Sequence, residues 1–307
     1  MSVVFFGTPV FAVPSLKVLI DAKEDIALAV TQPDKLKGRG HILSFSPVKE
    51  TALSANVHVS QPFKINDEDF YRQLRDIGPE FIITVAYGRI LPKTILSIPK
   101  RGCINVHASL LPKYRGAAPI QWALINGENV TGTTTMLMNE GLDTGDMLLQ
   151  EGIRIEEEDN YETLSHKLSL LGARLLIRTI DGLRSGTIKP MPQIGEPSYA
   201  PQLKKADGRI DWNKSAKELF NFIRGMYPWP SAYTYLKNER IKIIKSKCLP
   251  GEGNSGRVEK ASAGELIIAT GEGLLSITEL QPDGKKIMTA SAFLSGRKLK
   301  EKHDSFA

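Results

Sequence analysis

Asn105 and His107 stand two apart at the end of the run Cys103-Ile104-Asn105-Val106-His107. In a strand that spacing puts an amide and an imidazole on one face, with Ile104 and Val106 on the other. The C-terminal end of a strand is where α/β sheets form their clefts. An amide there can donate to a developing oxyanion, and an imidazole can give or take a proton. A satisfied histidine beside a capping asparagine is the competing reading. The rigid Leu110-Leu111-Pro112 and the small-residue turn Arg115-Gly116-Ala117-Ala118 weigh against it, because small residues let a backbone approach a ligand. A second segment, Asn139-Glu140-Gly141-Leu142-Asp143-Thr144-Gly145-Asp146, presents carboxylates from a glycine-bracketed turn. Asp143 could orient an imidazole and favour its charged form, or the turn could simply cap itself. Asp143 and Asp146 lack the spacing of a calcium loop. A third segment, Asp34-Lys35-Leu36-Lys37-Gly38-Arg39-Gly40-His41, reads as a flexible basic loop, either solvated or closing on phosphates.

The elements that must hold these residues are legible as patterns. Val3–Phe6, Ile26–Val30, Phe81–Ala86 and Cys103–Val106 are short apolar runs that alternate with helical stretches. That alternation predicts a parallel sheet buried on both faces. A helix is expected over 67–77 with Asp67 as N-cap, and a long one over 161–183 with Gly186 beyond it. Thr133–Met138 and Met147–Ile155 are expected to pair as later strands. Residues 190–201 are rich in proline and read as a linker. A helix over 215–226 follows. Five short strands come next, at 233–236, 241–247, 256–259, 265–269 and 274–280, as in a small OB-like barrel. A last helix over 289–294 is expected to close it.

The chain has 307 residues, 41% of them hydrophobic and 24% charged, which suits two folded domains. No apolar run is long enough to cross a membrane, and the first residues lack the features of a secretory signal. Two distant cysteines exclude a disulfide scaffold and a zinc-finger-type site, and fit a reducing cytoplasm. Of the formal net charge of +6, +5 falls in residues 206–307. An acidic macromolecular partner for that third is plausible. The first βα junction, Phe6-Gly7-Thr8-Pro9, has one glycine where a dinucleotide fold wants three, and no Walker A loop is present. Nicotinamide and ATP chemistry are therefore disfavoured.

Taken together, the segments resemble the methionyl-tRNA formyltransferase family. The resemblance runs through Gly7-Thr8-Pro9, Thr31-Gln32-Pro33-Asp34, Gly38-Arg39-Gly40, Val85-Ala86-Tyr87-Gly88, Asn105-Val106-His107 and Arg115-Gly116-Ala117-Ala118-Pro119. It continues through Gly141-Leu142-Asp143-Thr144-Gly145-Asp146, Arg209-Ile210-Asp211-Trp212, Pro228-Trp229-Pro230 and Leu280-Gln281-Pro282-Asp283-Gly284. It implies a Rossmann-like formyltransferase domain over 1–189, a linker over 190–205 and a tRNA-binding OB-like domain over 206–307. It implies Asn105, His107 and Asp143 as the catalytic trio. Ser109, Leu110, Leu111 and Pro112 would help hold folate, and Lys35, Lys37 and Arg39 would meet tRNA. The implied reaction moves the formyl group of 10-formyltetrahydrofolate to the amine of methionyl-initiator tRNA, releasing tetrahydrofolate, with no metal. The chain departs from the family after Gly40, where many members carry further lysines and this one has His41-Ile42-Leu43. A formyltransferase acting on a small amine, such as a nucleotide or nucleotide-sugar, is the alternative. A cytoplasmic monomer without membrane association is expected.

Overall fold

Val3–Gly7 is buried at every position and forms strand β1 of a computed structural model that describes residues 2–37 and 42–307. The chain continues as helix α1 (Val13–Asp21), β2 (Ile26–Val30) and a short antiparallel hairpin, β3 (Lys35–Lys37) with β4 (Ile42–Ser44). Then come α2 (Pro47–Ser54), β5 (Val59–Ser60), α3 (Glu68–Ile77), β6 (Phe81–Val85), α4 (Lys93–Leu96) and β7 (Cys103–His107). After α5 (Pro119–Ile125) the chain forms β8 (Val130–Leu137), β9 (Met147–Arg154) and the long helix α6 (Tyr161–Ser185).

These strands form a seven-stranded sheet in the order β5-β2-β1-β6-β7-β8-β9. The first five are parallel, and the complete burial of the central pair, β1 and β6, is what a sheet covered on both faces requires. The runs expected to lie parallel do so, with β5 added at the edge, and the two later strands pair with each other as expected. β8 pairs antiparallel with β7, and β9 antiparallel with β8. One face carries Val4, Phe6, Leu28, Val30 and Ile82, covered by Phe70 and Leu74 of α3. Each such side chain contributes about 1.5–3 kcal/mol by leaving water. α3 starts where Asp67 accepts from the Asp69 and Phe70 amides, and stops at Gly78 in the left-handed region. On β7, a Cβ at Gly172 of α6 would fall 2.7 Å from Val106 Cγ1. That glycine lets the helix close on the strand that carries the site.

Two compact units emerge. One comprises Met1–Pro119, Val130–Arg154 and Ser165–Ala200; the other comprises Ile120–Asn129, Ile155–Leu164 and Pro201–Ala307. The second unit contains α7 (Ala216–Met226), opened by a reciprocal Ser215–Glu218 capping box. Its strands are β10 (Ala232–Leu236), β11 (Glu239–Leu249), β12 (Val258–Ser262), β13 (Glu265–Ala269), β14 (Leu274–Pro282) and β15 (Met288–Thr289). They form an antiparallel sheet in the order β10-β11-β14-β13-β12, with β15 on β14. The last helix, α8 (Ala290–Ser295), is present, but it does not join the two end strands. The tail does: Phe306 bridges to Leu236 of β10, and Ser305 bridges to Arg257 beside β12. Backbone pairing, which a helix cannot supply to a strand edge, makes that junction. Among the described residues no helix is long and apolar enough to cross a membrane.

Candidate active site

β7 ends at His107, and the site is built around that end. Parallel pairing with β6 sets Asn105 beside Thr84, and antiparallel pairing with β8 sets His107 beside Thr134. His107 is 6% exposed. Its Nε2 lies 2.9 Å from the Tyr114 carbonyl oxygen, which can only accept, so that nitrogen carries a proton. The other ring nitrogen, Nδ1, faces Asp143 Oδ2 at 3.7 Å, an ion-pair distance too long for a hydrogen bond.

Asp143 reaches the ring from the turn between β8 and β9. Within that turn Asn139 Oδ1 accepts from the Gly141 amide and the Thr144 hydroxyl. Gly145 is required: a Cβ there would sit 1.7 Å from the Leu137 carbonyl oxygen. The Asp143 carboxylate accepts the Gly116 amide at 2.9 Å and faces Asn105 Nδ2 at 3.4 Å. The trio named from sequence thus converges through two long contacts, while backbone groups of Gly116 and Tyr114 hold Asp143 and His107 more closely. Such slack is usual where bonds tighten only around substrate. The site can donate to an oxyanion through the Asn105 amide and place a proton-bearing ring beside it.

The Ser109-Leu110-Leu111-Pro112 segment follows directly and is pinned. Ser109 and Leu111 are buried, and the Ser109 hydroxyl donates to the Lys113 carbonyl at 2.6 Å. Thr134 Oγ1 donates to the Ser109 carbonyl at 2.7 Å and accepts from the Leu111 amide at 3.2 Å. Gln150 Nε2 donates to Leu111 O at 3.0 Å and to Thr134 Oγ1 at 2.9 Å. Lys35 and Lys37 lie on the β3–β4 hairpin, away from the trio in sequence; Arg39 falls outside the described residues. Cys103, two residues before Asn105, is no nucleophile, since burial pushes its thiol up to about 12. Among the described residues no group of three or more His, Cys, Asp or Glu could hold a metal ion.

Sequence reasoning missed Tyr114, Thr134, Gln150 and Gln193. Tyr114 acts through a backbone carbonyl, which residue type does not reveal. Thr134 had a signal: Thr133, Thr134 and Thr135 are fully buried hydroxyls in a row, and buried hydroxyls need partners. Gln193 lies in the proline-rich stretch, where composition suggests only a connector.

The chain matches the family described as "Formyl transferase" over residues 1–180 and "Formyl transferase, C-terminal domain" over 202–298. It is 61% identical over 305 residues to a methionyl-tRNA formyltransferase of Thermodesulfovibrio yellowstonii, covering 99% of both chains. It is 51% identical to one of Pelotomaculum thermopropionicum, covering 98% of this chain and 97% of that one. Among solved structures it is similar to an N-formyltransferase from Helicobacter canadensis in complex with folinic acid and dTDP-3-aminofucose. That likeness has a TM-score of 0.68 at 19% identity and covers 90% of this chain and 97% of the other. It is also similar to HypX from Aquifex aeolicus in complex with tetrahydrofolic acid, with a TM-score of 0.66 at 15% identity. There it covers 97% of this chain and 48% of the other. Both of these likenesses are of fold.

Proposed function

The chain belongs to the methionyl-tRNA formyltransferase family, and on that membership we propose that it formylates methionyl-initiator tRNA for translation initiation, using 10-formyltetrahydrofolate. The observation that carries this reading is 61% identity across the full length of a methionyl-tRNA formyltransferase, against 19% to the sugar-linked relative of the same fold. The methionyl amine attacks the formyl carbon, and a tetrahedral oxyanion forms. The bond from that carbon to folate N10 then breaks. The amine loses one proton and N10 gains one, leaving formyl-methionyl-tRNA and tetrahydrofolate. Asn105 donates to the formyl oxygen as charge develops on it. A protonated His107, kept so by Asp143, would stabilise the same charge, and His107 or water would carry the proton. Ser109, Leu110, Leu111 and Pro112 support folate as a backbone ledge, in keeping with the Ser109 hydroxyl being spent on Lys113. No metal takes part.

By chain segment, 1–189 supply the groups that do the chemistry, 190–205 lead on to the distal part with residues up to Ala200 packed in the first unit, and 206–307 hold tRNA as an OB-like domain. The +5 charge of 206–307 favours this, with Lys35, Lys37 and Arg39 meeting the acceptor end. The enzyme works as a cytoplasmic monomer. The test is initial-rate formylation of methionyl-tRNA against a dTDP-amino sugar, each with 10-formyltetrahydrofolate. We expect turnover of the tRNA, weakening as salt rises. Turnover confined to the amino sugar would replace this reading with the small-amine one.

A further inference from the structure

Gln193 lies after α6, in a stretch that makes no regular helix or strand, and its side chain touches two loops at once. Its Nε2 donates to the carbonyls of Asp143 and Gly145, each at 2.8 Å. Its Oε1 accepts from Arg115 Nε at 3.1 Å and Nη2 at 2.6 Å. The amide can stand only this way round, because carbonyls accept and a guanidinium donates.

The stretch around Gln193 is laid along the first unit by backbone bonds. Met191 and Met147 exchange a pair at 2.8 and 2.9 Å, and Ala200 N donates to Arg115 O at 2.7 Å. The Ser198 carbonyl accepts from the Arg115 amide at 2.8 Å, and its hydroxyl from the Tyr114 amide at 2.9 Å. Neighbouring Ile194 is 84% exposed, whereas Gln193 is turned inward. Both loops it joins have a residue in the left-handed region: Asp143 at φ +51° and Tyr114 at φ +60°. Non-glycine residues hold such angles only where their surroundings fix them. Tyr114 supplies the carbonyl that meets one ring nitrogen of His107, and Asp143 the carboxylate that faces the other.

We infer that Gln193 is a positioning residue for formyl transfer: one amide sets the spacing between the Asp143 turn and the 114–116 loop, and with it the seat of His107. This rests on the catalytic reading of His107 and Asp143 given above. The side chain acts as a two-headed clip, and each head can be released separately. Gln193→Met keeps the length and loses both heads. Gln193→Glu keeps the Arg115 bonds but turns an acceptor toward the Asp143 and Gly145 carbonyls.

Two measurements test it. In single-turnover formylation both variants should lose about 10- to 100-fold in rate, the scale of a misplacement near 1 Å, with KM for tRNA and folate changed less than about 2-fold. In an Asp143→Asn background the further loss from Gln193→Met should shrink to below about 2-fold. Independently of activity, the Gly116 amide, which donates to Asp143 Oδ2, should exchange with deuterium faster in both variants. Amides of β1 and β6 should keep their protection. Gln193→Glu carries the test if Gln193→Met does not fold. A wild-type protein that formylates, with Gln193 variants of undiminished rate, would overturn the inference. So would a loss that is undiminished by Asp143→Asn, or Gly116 exchange that does not change. A wild-type protein inactive on methionyl-tRNA would overturn the functional reading, while Gly116 exchange would still report on the clip.

Discussion

The first unit holds two clusters of charge at opposite ends of its parallel strands. At the N-terminal end of β6, Glu80 and Glu24 share Arg184. Glu24 meets its guanidinium through both oxygens, at 2.6 and 2.8 Å, and Glu80 through Oε2 at 2.9 Å. The remaining oxygen, Glu80 Oε1, faces Arg101 Nε at 3.2 Å. Hydrogen bonds to Glu24 and then Glu80 hold the Arg184 guanidinium far above any working pH. At the C-terminal end of β7, Asp143 has one bond under 3 Å, and both His107 and Asn105 stand off from it. In the first cluster four hydrogen bonds hold the Arg184 guanidinium, although Glu80 Oε1 is buried with only the Arg101 ion pair and no hydrogen bond. The second keeps capacity in reserve. Tightness therefore separates the structural ion pair from the one proposed to be reactive more clearly than residue type does, since both are built from carboxylates and cations.

The contrast breaks first at the loose cluster. His107→Ala and Asp143→Asn should each lower kcat/KM by about 10²- to 10³-fold, the scale for removing one group that stabilises a developing charge. The melting temperature should move little. Because the carboxylate acts through the ring, the double variant should lose little more than the worse single one. Full additivity in steady-state kinetics would mean that the two residues work apart.

The tight cluster should fail the opposite way. Glu80 is 2% exposed, and Glu80→Ala leaves Arg184 and Arg101 short of a buried partner. A loss of about 3 kcal/mol is expected in urea unfolding, with activity of the folded fraction unchanged. A kinetic defect without loss of stability would erase the distinction drawn here.

The smallest effect is expected at a third pair, between Lys49 and Asp34. Burial pushes the Asp34 carboxyl up, but hydrogen bonds from Lys49 and Gln61 outweigh it and leave the group below its ordinary value. Its stabilisation is therefore present above the unfolded carboxylate value of about 3.9 and fades as pH falls through the folded one. Asp34→Asn should be less stable than the parent by no more than about 1 kcal/mol at neutral pH. That gap should close on acidification, as followed by thermal melts from pH 7 to pH 3. A gap that widened in acid would reverse the assigned direction.

The reach of the sequence differs along the chain for physical reasons. Runs such as Phe81–Val85 are apolar on both faces because helices cover both, so composition alone gave their place. α3 and α7 announce themselves through Asp67 and Ser215, whose side chains cap helix amides. Asn105 and His107 were legible because strand alternation fixes which residues share a face. The pairing of β8 with β9 was legible too, but the antiparallel junction of β8 with β7 was not, since direction depends on the connection rather than on the residues. The β3–β4 hairpin was hidden inside a segment that reads as loop, because three-residue strands carry too little pattern. Gln193 was hidden by proline and glycine around it, which suggest slack where the backbone is in fact bonded to its neighbours.

The chain path has one more consequence, for how such proteins can be recombined. The second unit takes Ile120–Asn129 and Ile155–Leu164 from the middle of the chain. Arg224, in α7, donates to the carbonyls of Glu156 and Asp159, and the Gly225 Cα hydrogen side leaves room for Ile125. A splice at residue 201 would therefore part the distal sheet from segments encoded some forty to eighty codons upstream. The unit is not a cassette that a gene fusion can lift out whole. Exchange between relatives has to carry those two inserts along with the C-terminal hundred residues, so substitutions in them should track the distal sheet rather than the strands they interrupt.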